Sequence, residues 1–379
     1  MKFHLVFFIL LFINLTTEAA DTSQAHQYFL IADSLSKANS FDKSNEYFEK
    51  ACKIFTKKSY WKRVIDCNNH IGFNLTVFQD EVDRALEILK SNLKLSIQKL
   101  GNNNLRTAHT YHKIAIVFYL SGYYDVALAN YKQSLNIRTN ILGDKSIDVA
   151  KSLNNIGIVH EAKGAYDNAL KNYFSALKIM RTKLGASHPA IAKIYNNIGV
   201  ICWYKGEFTK SLEYHKQAVK FKIENYGPEH PRVAVSYNNL GLVYSDMGAL
   251  DKAVDYYKKA LEIDRATVGT NHPYVATDYN NLGSTLNLQG KWYEALKSYR
   301  LSLEIRLQTL NENHPVIASN YSNIGTIYAR LHDWENALYH QNLGLNIVIA
   351  VFGKKHPTVG ETYKPLEIIL ESSLNLRKH

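Results

Sequence analysis

Only 7 prolines and 19 glycines punctuate 379 residues, which argues against long disordered linkers. The 3 cysteines, Cys52, Cys67 and Cys202, contain no C-x-x-C pair, so neither a zinc ribbon nor a thioredoxin-like site has support. Cys52 and Cys67 can bridge only if their helices pair antiparallel; otherwise they are small core side chains. No segment alternates apolar and polar residues with period two, which excludes propeller blades and other strand-built repeats. Nor is there a Ser-His-Asp spacing, a glycine-rich phosphate loop or an H-E-x-x-H motif. The expectation is a non-catalytic chain with no cofactor and no metal.

The longest apolar run is the 13 residues from Phe3 to Leu15, too short to span a bilayer comfortably. With Lys2 before it and Thr17 and Ala19 after it, residues 1–19 read as a secretory signal peptide cut near Ala19 or Ala20. An uncleaved anchor is the alternative. The absence of a cysteine after the run argues against a bacterial lipoprotein. The expected location is therefore exported, periplasmic or secreted, with no membrane span in the mature chain. The formal net charge of +11 comes from scattered lysines rather than blocks. An exported chain rarely meets nucleic acid, so the charge points to acidic partners or to solubility. On a eukaryotic secretory route, Asn74 in "NLT" and Asn320 in "NYS" are candidate glycosylation acceptors, Asn320 the poorer because it lies inside a helix.

What the chain does have is a period. Gly157, Gly199, Gly241, Gly283 and Gly325 stand 42 residues apart, and so do the His-Pro pairs beginning at His188, His230, His272, His314 and His356. Ala127, Ala169, Ala253, Ala295 and Ala337 fall on the same lattice, with Ser211 in the gap. Each unit reads as two helices. Tyr237, Leu240, Gly241 and Tyr244 recur at i, i+3, i+4 and i+7, one face of a first helix. Ala253, Tyr257 and Ala260 do the same in the second. Gly269 is placed to end that helix in a left-handed cap, and Thr270, Asn271 or His272 to cap the next one ahead of Pro273. The histidines lie one repeat apart, on the order of 10 Å between packed helices, whereas zinc needs ligand nitrogens at about 2 Å. Capping is the better reading. Glu161, Asp246 and Asp264 read as solvated helix faces.

The pattern Tyr237-x-x-Leu240-Gly241-x-x-Tyr244, followed by Ala253, Tyr257 and Ala260, resembles the tetratricopeptide repeat. The 42-residue period with "YNNLG" and "LG-x-x-HP" is similar to the repeats of kinesin light chains. The resemblance implies an all-α, right-handed superhelical solenoid. About eight helix-turn-helix units are expected: 22–58 and 60–101 (both divergent), 105–143, 147–185, 189–227, 231–269, 273–311 and 315–353, closed by a capping helix over 357–374. It departs from the pattern in the early units, where Ala115 replaces the glycine and "NNHIGF" at Asn68 is out of register by one. The implied function is a protein- or peptide-binding scaffold. The alternative is a sensor or regulatory module for a separately encoded protease-like or kinase partner.

Paired amides in the first helices point to where a peptide would lie. At 100° per residue, Asn239 points away from the core stripe and shares the back of its helix with Val235, Leu242 and Asp246. Asn238 points sideways, to the neighbouring first helix. The back of the first helix lines the groove in tetratricopeptide stacks. The resemblance therefore carries a peptide-contacting role onto Asn155, Asn197, Asn239, Asn281 and Asn323, while Asn154, Asn196, Asn238 and Asn280 read as a ladder between helices. Lys113, Lys151 and Lys193 fall on the same wall and would favour an acidic or carboxylate-bearing peptide. Trp203 and Tyr204, near the end of a first helix, are either binding or packing aromatics.

Overall fold

The computed structural model describes residues 22–77, 81–185, 188–354 and 357–376; residues 1–19 lie outside it. The described residues form seventeen helices and no strand. They divide into two compact units, one up to Gly185 and one from Ala186 onward.

The N-terminal unit runs α1 (residues 22–37), α2 (Phe41–Lys57), α3 (Trp61–Val77), α4 (Val82–Leu100), α5 (Leu105–Leu120), α6 (Tyr124–Leu142), α7 (Ile147–Ala162) and α8 (Tyr166–Leu184). The C-terminal unit runs α9 (Pro189–Tyr204), α10 (Phe208–Tyr226), α11 (Pro231–Asp246), α12 (Leu250–Thr267), α13 (Pro273–Leu288), α14 (Trp292–Thr309), α15 (Pro315–Arg330), α16 (Trp334–Phe352) and α17 (Pro357–Leu376). From α2 onward every helix packs on its chain neighbours within its unit, and first helices also touch one another, α3 with α5 in the N-terminal unit and α9, α11, α13, α15 and α17 each with the next in the C-terminal unit. No helix among the described residues is long and apolar enough to cross a membrane.

The period has a local cause at each boundary. His188, His230, His272 and His314 each accept a hydrogen bond at Nδ1 from the amide two residues on, at 3.1–3.2 Å, with proline at the first helical position. Asn104 and Ser146 hold that role in the N-terminal unit. The second helices α4, α6, α8, α10 and α16 end on glycine, but not in the ordinary left-handed cap. Gly227 has φ 86° and ψ 161°, a region essentially closed to residues with a Cβ.

The repeated mid-helix glycine makes room for a side chain. A Cβ on Gly157 would sit 2.5 Å from the Tyr173 ring, and one on Gly241 would sit 2.7 Å from Tyr257. Those second-helix tyrosines are 0 % and 2 % exposed. The first-helix tyrosines at the register of Tyr237, namely Tyr195, Tyr237, Tyr279 and Tyr321, are only half-buried. They form the outer edge of the core, where Tyr237 meets Tyr256 with ring centroids 5.7 Å apart. Leucine and isoleucine supply the rest of the interior: Leu240, Ile198 and Ile324 are essentially inaccessible, each worth about 1.5–3 kcal/mol of burial.

Candidate functional site

The back of the first helices is an exposed wall. Lys151 in the N-terminal unit is exposed, as are Lys193, Val235, Thr277 and Ser319 in the C-terminal unit. Beside them the asparagines sit half-buried, and their two series join rather than separate. In the C-terminal unit Asn239 Nδ2 donates to Asn196 Oδ1 at 2.6 Å, Asn281 to Asn238 at 3.4 Å and Asn323 to Asn280 at 3.2 Å. Each bond links one first helix to the next. The expected division of labour, groove for one series and ladder for the other, is thus corrected. A side chain turned about 100° from its neighbour still reaches sideways when the adjacent helix offers an acceptor.

The ladder does not exhaust the amides. Asn239, Asn281 and Asn323 spend Nδ2 and keep Oδ1, while Asn196 and Asn280 spend Oδ1 and keep Nδ2, so donors and acceptors remain along one wall. Asn238 has both polar atoms engaged, its Oδ1 accepting from Asn281 and its Nδ2 donating to Asp278 Oδ1 at 2.5 Å. Asn197 is half-buried and hydrogen-bonded or otherwise engaged. Asn155 is half-buried in the N-terminal unit, next to the buried Asn154.

The other wall residues differ among themselves. Lys151 pairs with Asp148 at 3.2 Å on the surface, and Lys193 stands exposed. Lys113 is not an open groove cation. Its ammonium lies 3.7 Å from the centre of the Phe73 ring, among His70, His109 and His112, and burial lowers its pKa to about 8. His109 and His112 are pushed down to about 3, first by burial and then by nearby cations, Lys113 among them. Trp203 donates from Nε1 to Asp246 Oδ2 at 2.5 Å and packs into the core, which makes it a tie between α9 and α11. Tyr204 is 50 % exposed, its ring centroid 4.7 Å from that of Trp203.

A second set of polar contacts links a second helix to the next first helix in α6–α7, α10–α11 and α14–α15. Arg138 donates to Ser152 and Lys222 to Ser236, both at 2.6 Å, and Arg306 donates to Asn320. At the same register α12 and α13 bring two carboxyls together, Asp264 and Asp278, 1 % and 0 % exposed. One oxygen of each is buried without a hydrogen-bond partner, and the two carboxyls act on each other's titration. Burial pushes Asp278 up to about 7 and Asp264 up to about 6, with His272 opposing the rise at Asp264. Asp264 is therefore not a solvated helix face. Neither is Glu161, which accepts a hydrogen bond from the Tyr173 hydroxyl at 2.6 Å; Asp246 is exposed but holds Trp203. A signal for the acid pair did exist: Asp264 stands where neighbouring repeats carry Lys222 and Arg306, and Asp278 where they carry Ser236 and Asn320. The glycosylation candidates also fail sterically, since Asn74 and Asn320 are both fully buried. Asn74 donates to Asn45 at 2.9 Å.

This architecture has a family. Tetratricopeptide repeat models match residues 68–140, 148–224, 190–266, 232–308 and 274–350, and another such model matches 25–57. The chain belongs to the tetratricopeptide repeat family. Among solved structures it is similar to BtubC (BKLC) from P. vanneervenii, 23% identical over 62% of this chain and 94% of that one, with a TM-score of 0.53. The apo form of RapI is similar in fold over 93% of this chain and 98% of its own, at 13% identity and a TM-score of 0.59. Nearly identical TPR-like repeats from Podosopora anserina, described as those of a kinesin light chain, align over 55% of this chain and 97% of theirs, at 19% identity and a TM-score of 0.48. No curated protein matches the sequence. The family's fold is that of a protein-binding scaffold.

Proposed function

We propose that the protein is a non-catalytic, exported scaffold that holds extended, acidic peptide segments along the wall of its first helices. The observation that carries this reading is the asparagine row with unspent groups: Oδ1 of Asn239, Asn281 and Asn323, and Nδ2 of Asn196 and Asn280. Packed helices are about 8–10 Å apart, and an extended chain advances about 3.3 Å per residue. A peptide crossing the first helices therefore meets an amide at about every third residue. An amide that both donates and accepts grips main chain without reading sequence. Exposed Lys193 on that wall supplies the preference for acidic side chains, and Lys151 offers the same charge on the first-helix wall of the N-terminal unit. Export rests on the apolar run and small residues at the start of the sequence.

The test is fluorescence anisotropy with acidic, neutral and basic extended peptides on the full chain. Lys193→Glu and Lys151→Glu change exposed groups and leave the ladder alone. Acidic peptides are expected to bind best, to weaken as salt rises through a Debye length of about 8–10 Å, and to lose about tenfold on charge reversal. Binding that is indifferent to peptide charge, salt and both variants refutes the acidic preference. No binding of any extended peptide refutes the scaffold wall itself.

A further inference from the structure

The two N-terminal cysteines stand apart from this wall. Cys52 on α2 and Cys67 on α3 lie at equal distance from the turn at Ser59 and Tyr60, so they face each other across an antiparallel hairpin. The two thiols are unbridged, and Cys52 packs against the apolar cluster that contains Cys67. Their surroundings are unequal. Cys67 is fully buried in the core shared by α1, α2 and α3. Cys52 is half-buried and lines an open surface groove with Lys53, Lys57, Asn68 and Ile88. Its Sγ lies 3.5 Å from Asn68 Oδ1. One sulfur is thus reachable from solvent, and the other is reachable only through the first. Lys53 and Lys57 outweigh the single carboxylate of Glu49 in the groove's lining, so the entrance carries net positive charge.

We propose that Cys52 and Cys67 form a thiol–disulfide exchange site, which reacts with small anionic disulfides such as oxidised glutathione to close a reversible staple between α2 and α3. The Cys52 thiolate attacks one sulfur of the disulfide. A protein–glutathione S–S bond forms, the original S–S bond breaks, and one glutathione leaves as thiolate, taking a proton from water. The Cys67 sulfur then attacks Cys52 Sγ, its proton passing to the departing glutathione sulfur at Cys52. The second glutathione leaves and is protonated. In sum, two protein thiols are oxidised and one glutathione disulfide is reduced to two thiols. The Cys67 thiol beside it favours the thiolate at Cys52, against burial and the Glu49 carboxylate, while Cys67 itself stays a thiol, its pKa pushed far up by Cys52 and by burial. That is the order of roles the two steps need.

The full chain, incubated in buffers of reduced and oxidised glutathione and then alkylated, digested and weighed by mass spectrometry, decides the matter. The expected product is a peptide linked through Cys52 and Cys67, reversed by excess reduced glutathione. Cys202, 3 % exposed and without a thiol neighbour, serves as the internal control and stays alkylatable on unfolding. Cys67→Ser should trap Cys52 as a mixed disulfide with glutathione, and Cys52→Ser should leave Cys67 unmodified. Hydrogen exchange should slow in α2 and α3 of the bridged form. If both thiols stay free in excess oxidised glutathione, or if wild-type Cys52 stops at the mixed disulfide, the proposal is overturned. A link that forms only in denaturant overturns it too. The wild-type result stands alone should either variant fail to fold.

Discussion

Two residues before the helix-crossing small residue, the C-terminal unit carries Asn197, Asn239, Asn281 and Asn323, and the N-terminal unit carries His70, Lys113 and Asn155. The register is the same and the chemistry is not. In the C-terminal unit amides bond helix to helix and keep groups to spare. In the N-terminal unit Lys113 lies over Phe73 with His70 nearby, and His70 stacks on Phe48 with ring centroids 4.7 Å apart. The desolvated titratable groups differ as well: His109, His112 and Lys113 in the N-terminal unit, and in the C-terminal unit a carboxyl pair, Asp264 and Asp278, besides His215 and Lys222. A repeat fold tolerates this exchange because glycine, alanine and the caps set the helix spacing. The polar position needs only a partner, whatever its charge.

The largest expected effect follows from that difference, as opposite pH slopes. His109 and His112, held near 3 by burial, bind protons more weakly folded than unfolded, so the stability they contribute is present above about pH 6.5 and lost as pH falls. Asp264 and Asp278 are raised. Their contribution is full below about pH 4 and is lost as pH rises through about 6 and 7. For fully buried Asp278, a rise from 3.8 to about 7 is worth on the order of 4 kcal/mol. Buried His215, held near 4, opposes this trend within the same unit but with the smaller shift. Hydrogen exchange between pH 5 and pH 8 should show α5 gaining protection while α12 and α13 lose it. Asp278→Asn should flatten the second slope, because Asn320 already occupies that register in the next repeat. Parallel slopes in the two units would contradict the assignment.

Next in size is an exchange of small residues. Gly241→Ala forces a methyl against the Tyr257 ring and should cost about 1–3 kcal/mol. Ala115→Gly, in a hairpin already spaced for a methyl, should cost only about 0.5–1 kcal/mol. Thermal melts of the two variants check the asymmetry; equal losses would mean the hairpins are spaced alike.

Smaller still is the effect at the shared polar register, where the sign should differ between units. Asn239→Ala removes the bond to Asn196 and should cost about 0.5–1.5 kcal/mol. Lys113→Met removes a desolvated cation that has no carboxylate partner among the described residues, and should stabilise the N-terminal unit at pH 7. Urea titrations followed by exchange in α5 and α11 read both.

The smallest expected gain is at His332. It holds φ 61° at the turn position where the other repeats have Gly206, Gly248 and Gly290. His332→Gly should relieve the left-handed strain and stabilise by about 0.5–1 kcal/mol net of the added chain entropy. A lower melting temperature would instead credit the His332–Trp334 ring contact at 5.5 Å.

The sequence alone determined the repeat and its helices. Spacing, capping and close crossing are properties of neighbouring residues, and they recur wherever Gly241, Ala253 and His272 recur. It also identified the exposed back of the first helices, since a 3.6-residue period distinguishes front from back without any partner. It did not decide what each polar side chain touches. Asn239 and Asn238 read as two series, yet one donates to the neighbour of the other. Asp264 read as a solvated acid and is buried against Asp278. Lys113 read as an open groove cation and lies on an aromatic ring. Those outcomes depend on helices 14 to 43 residues apart in sequence coming within hydrogen-bond reach. A single chain's pattern carries the direction of a side chain from its own helix axis. Only the packed neighbour decides whether that direction ends in water, in an amide or in another carboxyl.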